Sequence, residues 1–251
     1  MTAVPHIKID NMDFKSHDLT MSQSESKSTT REHTRQQLIL AAEKLFAESG
    51  IDGVSLRQIN LEAGQKNSSA AHYHFGSKDE LILSIYRLRM EHVNERRLST
   101  LEKLRIDRKE NSVRDLVGAI VNPIVAEIDA DKSGHNYIRF MAQAIGHPQL
   151  DLVKLWRQEH SGGLATALEL LEHALPDIPA PLFGQRFGLA FEQIVHSLAD
   201  REKLRHSSQN TFEVDAPLFV SNLIECITGA MSAPVSRETK KELQRLAQQS
   251  R

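Results

Sequence analysis

Apolar residues recur at helical spacing along almost the whole of this chain, and no stretch alternates apolar with polar as a half-buried strand would. Leu38, Ala41, Ala42, Leu45 and Phe46 fall at i, i+3, i+4, i+7 and i+8, which puts them on one face of a helix. The same period returns in Leu81, Ile85 and Leu88, in Val113 to Ile128, in Phe183 to Leu198 and in Leu218 to Met231. A chain patterned this way buries its apolar surface only by packing helix on helix, so the predicted fold class is all-α. Its 251 residues allow a small domain joined to a larger one.

Residues 1–30 are polar and Ser-rich without a sustained period, and read as a disordered tail. From Arg31 the punctuation is dense. Gly50 and Gly53 stop the first helix. Ser55 opens a second with a capping box to Gln58 and a Val54–Ile59 staple, and Leu56, Ile59 and Ala63 form its buried side. Gly64 supplies a tight turn, and Asn67, Ser68 and Ser69 offer caps for a short third helix to about His74, ended by Gly76. Ser77-Lys78-Asp79-Glu80 is a second capping box and begins a helix reaching about Ile106, roughly 45 Å at 1.5 Å per residue.

Further helices follow. Val113–Ile128 carries a stripe wide enough for burial on more than one side, with Pro123 expected to kink it. Tyr137–Ile145 and Leu150–Leu175 come next, the latter weakened at Gly162-Gly163, before a Pro-marked loop at 176–181. The predicted organisation is a tail at 1–30, a helix-turn-helix domain at 31–76, a helical body at 77–231 and a polar segment at 232–251.

Two helices joined by a short Gly-containing turn, with a third packed behind, make a helix-turn-helix unit whose second helix enters the DNA major groove. Ser55, Leu56, Ile59, Ala63-Gly64, then Tyr73-His74-Phe75, Ser77-Lys78 and Leu81 together resemble the TetR family of bacterial transcriptional regulators. The resemblance covers roughly residues 31–81. From Gly64 to Lys78 the chain is one residue longer than the commonest family spacing, which puts His72 rather than Tyr73 in the usual tyrosine position if Phe75 is the anchor.

Chemistry assigns the expected DNA contacts. Ser55 and either Tyr73 or His72 donate to phosphate oxygens, at least two of His72, Tyr73 and His74 contact DNA rather than pad the small core of the head, and Lys78 contacts phosphate from the first turn of its helix, as the resemblance also implies. Arg57 reaches phosphate or a base edge, and Lys66, Asn67, Ser68 and Ser69 are placed for base edges, Asn suiting adenine and Lys guanine.

The resemblance further implies a homodimer whose last two long helices form a four-helix interface, and a body that holds an inducer. Here Phe183, Phe187, Phe191, Ile194, Leu198, Leu223, Ile224 and Ile227 supply stripes that pack either across a two-fold axis or within the chain. Met90, Tyr137, Phe140, Met141 and Trp156 either line a ligand cavity or fill the body, since core and pocket walls use the same residue types. The expected function is a repressor released from a palindromic operator on double-stranded DNA by a small, largely apolar effector. The alternatives are a ligand-independent, DNA-bound adaptor that recruits another protein, and an enzyme or ligand carrier that merely retains a helix-turn-helix head.

Composition excludes several classes. A formal net charge of -2 shows no global basicity, yet a small basic face can sit on an acidic body. The single cysteine, Cys226, permits no internal disulfide and reads as a packed small hydrophobe. No apolar run is long enough to span a bilayer, so a cytoplasmic protein without membrane contact is expected. His72 and His74 at i and i+2 share no helix face and no carboxylate or Cys completes a metal set, so neither metal nor cofactor is expected. No nucleophile elbow or Gly-rich phosphate loop points to an enzyme. Arg96 and Arg97 follow Glu91 and Glu95 and read as a solvated, salt-bridged face.

Overall fold

The computed structural model describes residues 18–130, 133–147, 150, 162–205 and 215–249. Its elements are α1 Asp18–Ser49, α2 Leu56–Glu62, α3 Ala70–Phe75, α4 Lys78–Ile106, α5 Val113–Ala130, α6 Gly134–Ile145, α7 Gly163–Ala174, α8 Ala180–Arg205, α9 Ala216–Ser232 and α10 Arg237–Gln249. Among the described residues there is no strand, and the fold is all-α.

Helix boundaries follow local chemistry. α1 ends at Gly50, whose φ of +76° is open to glycine at no steric cost. Ser55 caps α2 reciprocally with Gln58, the hydroxyl accepting from the Gln58 amide at 3.3 Å while the Ser55 amide donates to Gln58 Oε1 at 2.8 Å. Ser77 caps α4 by accepting from the Glu80 amide at 3.1 Å. α5 continues as one element through Pro123.

α1 begins at Asp18, thirteen residues ahead of the onset of periodicity at Arg31, so the expectation of a disordered tail over 1–30 is corrected for residues 18–30; residues 1–17 lie outside the described ones. No Gly or Pro interrupts 18–31. Propagation adds one hydrogen bond per residue once a helix is nucleated, so the polar stretch extends α1 without an apolar face of its own. The polar segment at 232–251 contains α10, which buries no residue.

The head and body are not separate packing units. α1 packs on α2, α3 and α4, and also along α6 of the body. Phe46 of α1 stacks on Phe140 of α6 with ring centroids 6.1 Å apart, both essentially fully buried. α4 lies on α5 and α7, α6 on α8, and α9 on α5 and α8.

A buried ionic cluster joins the two parts where the sequence reads only apolar stripes. Arg89 of α4 makes a two-pronged contact with Glu43 of α1, Nε to Oε2 and Nη2 to Oε1 each at 2.8 Å. Its Nη1 donates to Glu127 of α5 at 2.9 Å and its Nη2 to Ser133 at 2.7 Å. Burial alone disfavours the Arg89 cation, but the hydrogen bonds and charges of Glu43 and Glu127 outweigh it and hold its pKa above the ordinary value. Arg96 closes the cluster, donating to Glu127 Oε2 at 2.6 Å.

The expected solvated face at Arg96 and Arg97 is therefore corrected. Arg96 serves a buried carboxylate, and Arg97 is 1% exposed because α5 and α7 cover that side of α4. Charge order along one helix cannot reveal which face its neighbours cover.

Candidate nucleic-acid interface

α2 and α3 are held at a fixed angle by a residue that the sequence reading missed. Asn60 is 2% exposed; its Oδ1 accepts from the Ala71 amide at 2.8 Å and its Nδ2 donates to the Ser68 carbonyl at 2.5 Å. One side chain thus ties the second helix to both the turn and the start of the third. A signal was present, because Leu56, Ile59, Asn60 and Ala63 share the i, i+3, i+4, i+7 face, so a polar group sits on the buried side. Gly64, at φ +66°, turns the chain, and the Gln65 amide closes back on the Asn60 carbonyl at 2.9 Å.

Ala70, Ala71 and Phe75 form the inner side of α3 and are buried. Its outer side and the turn before it carry the polar residues. Lys66, Asn67, Ser68, Ser69, His72 and Tyr73 are exposed, as are Ser55 and Arg57 on the flanking helix. His74 and Lys78 are half-buried. All ten sequence-selected residues thus belong to one head, with eight of them exposed.

Several have internal duties as well. Asn67 Oδ1 accepts from the Ser69 amide at 2.9 Å, which shapes the turn. Ser55 Oγ donates to Gln58 Oε1 at 2.7 Å while serving as the cap. Lys78 Nζ lies 5.7 Å from the Phe46 ring centroid.

Two arginines of α1 join this surface without having been singled out. Arg31 lies over the Tyr73 ring at 5.7 Å and Arg35 over the Phe75 ring at 5.3 Å. Burial first, then the charges of Arg31 and Arg35, lowers the pKa of His74 below 6.5, so its ring is neutral at pH 7 and donates through one nitrogen. No sequence spacing links positions 31 and 35 to position 73; only the fold does.

The other predicted positions divide. Tyr137, Phe140 and Met141 are fully buried and Met90 partly so, while Trp156 lies outside the described residues. None of the four lines either of two surface depressions. One, of about 450 Å³, lies between α4 and α5 beside Arg96, Lys103 and Pro123. The other, of about 510 Å³, is bordered by Glu48, Arg139, His196 and Asp200.

All eight residues expected at a dimer interface are buried inside the protomer, Phe187 the most exposed at 8%. Within the protomer these stripes face α5, α6 and each other, the second of the two packings that the sequence leaves open. The outward faces of α8 and α9 carry Gly184, Gly188, Leu189, Leu218, Cys226 and Gly229 instead. Cys226 is exposed rather than packed.

Among the described residues no cluster of three metal-ligating side chains occurs, and no single helix is long and apolar enough to cross a membrane. Residues 38–85 match the family model for bacterial regulatory proteins of the tetR family, and residues 118–230 match the tetracyclin repressor-like C-terminal domain. The HTH-type transcriptional repressor NicS of Pseudomonas putida is 33% identical over 91 residues, which is 36% of this chain and 41% of that protein. The matched part thus spans less than half of this curated relative.

Among solved structures, an alanine-substituted mutant of HlyIIR is 21% identical with a TM-score of 0.43, covering 80% of this chain and 97% of that one. A TetR-family regulator from Streptomyces coelicolor is 18% identical with a TM-score of 0.39, covering 80% and 96%. With both the helix-turn-helix head and the C-terminal body matched, the chain belongs to the TetR family, whose members are DNA-binding transcriptional regulators rather than enzymes.

Proposed function

We propose that the protein is a repressor that grips a palindromic operator as a homodimer and is released by a small, largely apolar ligand. The observation that carries the DNA half is α3, with Ala70, Ala71 and Phe75 on its buried side and Lys66, Asn67, Ser68, Ser69, His72 and Tyr73 exposed on and just before it. A groove about 12 Å wide admits such a helix, and small side chains at its start let backbone amides approach phosphate.

Release follows from the connection between head and body. α3 is joined to α4 by Gly76 and Ser77 alone, and α4 runs on into the body against α5 and α7. A ligand that binds better when α4 is tilted spreads two heads away from half-sites one DNA turn apart.

The test is selection of bound DNA from a random pool at two salt concentrations. A palindromic consensus with steep salt dependence supports the proposal; binding without sequence preference overturns it.

A further inference from the structure

Among the described residues of the body, Arg97 is a buried cation with no ion pair. Arg97 is among the largest fully buried side chains, at 1% exposure. Among the described residues no carboxylate pairs with it. Its Nη1 donates to Asn94 Oδ1 at 2.6 Å, its Nη2 lies 3.5 Å from the Ile120 carbonyl, and its Nε has no partner. Desolvation lowers its pKa to about 10, with Tyr137 and Tyr86 acting in the opposite sense, so it remains charged at neutral pH. Arg89, two turns away, shows how this fold treats a buried arginine that serves structure, with two carboxylates and every arm engaged.

A second feature meets Arg97 at the same place. α7 starts at Gly162-Gly163 with no side chain capping it, and a helix start favours an anion. The contact is close: a Cβ on Gly163 would stand 2.9 Å from Asn94 Oδ1, the atom that holds Arg97. The guanidinium therefore lies one side chain away from the helix start, in a region enclosed by α4, α5 and α7.

We propose that Arg97 and the start of α7 form the recognition site for the carboxylate of a small, otherwise apolar organic acid, which is the effector of the regulator. This rests on the ligand-controlled reading above and gives that ligand a charge. The carboxylate takes both the free Nε–H and an Nη–H of the fork, the two-pronged geometry that guanidinium and carboxylate share. It enters by parting α7 from Asn94, so that occupancy favours an altered setting of α4, the helix that carries the head.

The full-length protein is titrated with benzoate, naphthoate and octanoate, each beside its primary amide, by calorimetry and thermal unfolding. At least one acid is expected to bind and raise Tm, with its amide at least about tenfold weaker. Arg97→Met should weaken that acid about tenfold to a hundredfold. Its ligand-free Tm should equal or exceed that of the wild type, since an unpaired buried charge is removed. No acid binding, amides binding as well as acids, or acid affinity unchanged in Arg97→Met each overturns the proposal. So does a steep fall in ligand-free Tm, which would identify a carboxylate of the protein itself as the partner. Should Arg97→Met fail to fold, the acid–amide contrast in the wild type decides, amides that bind as well as acids overturning the proposal.

The same panel is applied to the protein bound to its selected DNA. An acid that binds without releasing DNA leaves the site standing and removes the effector reading. A neutral amide that releases DNA while no acid binds does the reverse.

Discussion

Asn60 and Lys78 separate two jobs within the head. Asn60 touches nothing outside the protein, yet it satisfies the Ser68 carbonyl and the Ala71 amide with one planar group. Replacement by Leu leaves both backbone groups without that partner, at about 1–3 kcal/mol for each buried one. Asn60→Leu should therefore lower the thermal unfolding midpoint and reduce discrimination between operator and random DNA, read by melting and by competitive binding. A variant that keeps full stability and full discrimination would show that the angle between α2 and α3 is set elsewhere. Lys78 is the opposite case, a half-buried residue whose charge sits at the start of α4. Lys78→Ala should weaken specific and non-specific DNA by equal factors and reduce the salt slope by about 0.9, the share of one phosphate contact. A loss confined to the operator would instead make Lys78 a reader of sequence.

At the scale of elements, α4 joins the head to the body, and the Arg89 cluster clamps it to α1 and α5 at once. Glu127 is one of the cluster's two carboxylates, with Glu43. Burial raises its pKa, but Arg96 and Arg89 more than reverse this and hold it below the ordinary 4.5. A carboxylate depressed in the folded state stabilises fully above its unfolded pKa and loses that stabilisation as pH falls through the folded one. Glu127→Gln should thus cost on the order of 3 kcal/mol at pH 7, with the gap to wild type narrowing below about pH 4.5, read by denaturant unfolding across pH. A gap independent of pH would mean that packing, not charge, sets the difference. Much at this level was legible beforehand. The Ser55 and Ser77 caps and Gly50, Gly64 and Gly76 fix helix ends by local chemistry, which sequence expresses directly. Glu43, Arg89 and Arg97 were not legible, because whether a charged residue is covered depends on helices far away in the chain. The start of α1 was missed for a related reason: a helix can continue through polar sequence from an apolar segment that anchors it.

At the scale of the whole molecule, the proposed homodimer must hold two heads a fixed distance apart. The apolar stripes of α8 and α9 fill the protomer's own core, so they cannot also face a partner. What remains outward is an unusual surface for helices, with three glycines whose Cβ positions meet nothing within 4 Å, flanked by Leu189 at 69% and Leu218 at 65% exposure. Glycine inside a helix weakens it by roughly 0.5–1 kcal/mol relative to Ala, and helices that approach one another closely give it a use. Large exposed leucines beside such flat positions suit a four-helix contact repeated by a two-fold axis. Leu189→Arg, made together with Leu218→Arg, should therefore yield a folded monomer with unchanged helical content by circular dichroism. Operator affinity should fall towards that of a single head, since the second half-site is no longer delivered by linkage. Ile194→Arg, at 1% exposure, should unfold the body instead of merely dissociating it. Sedimentation of the three proteins decides the matter. If the double variant remains a dimer at micromolar concentration, the two-fold axis does not pass over the outward face of α8 and α9. If Ile194→Arg gives a folded monomer, the inward stripes form the interface after all, and the protomer must repack its core on association.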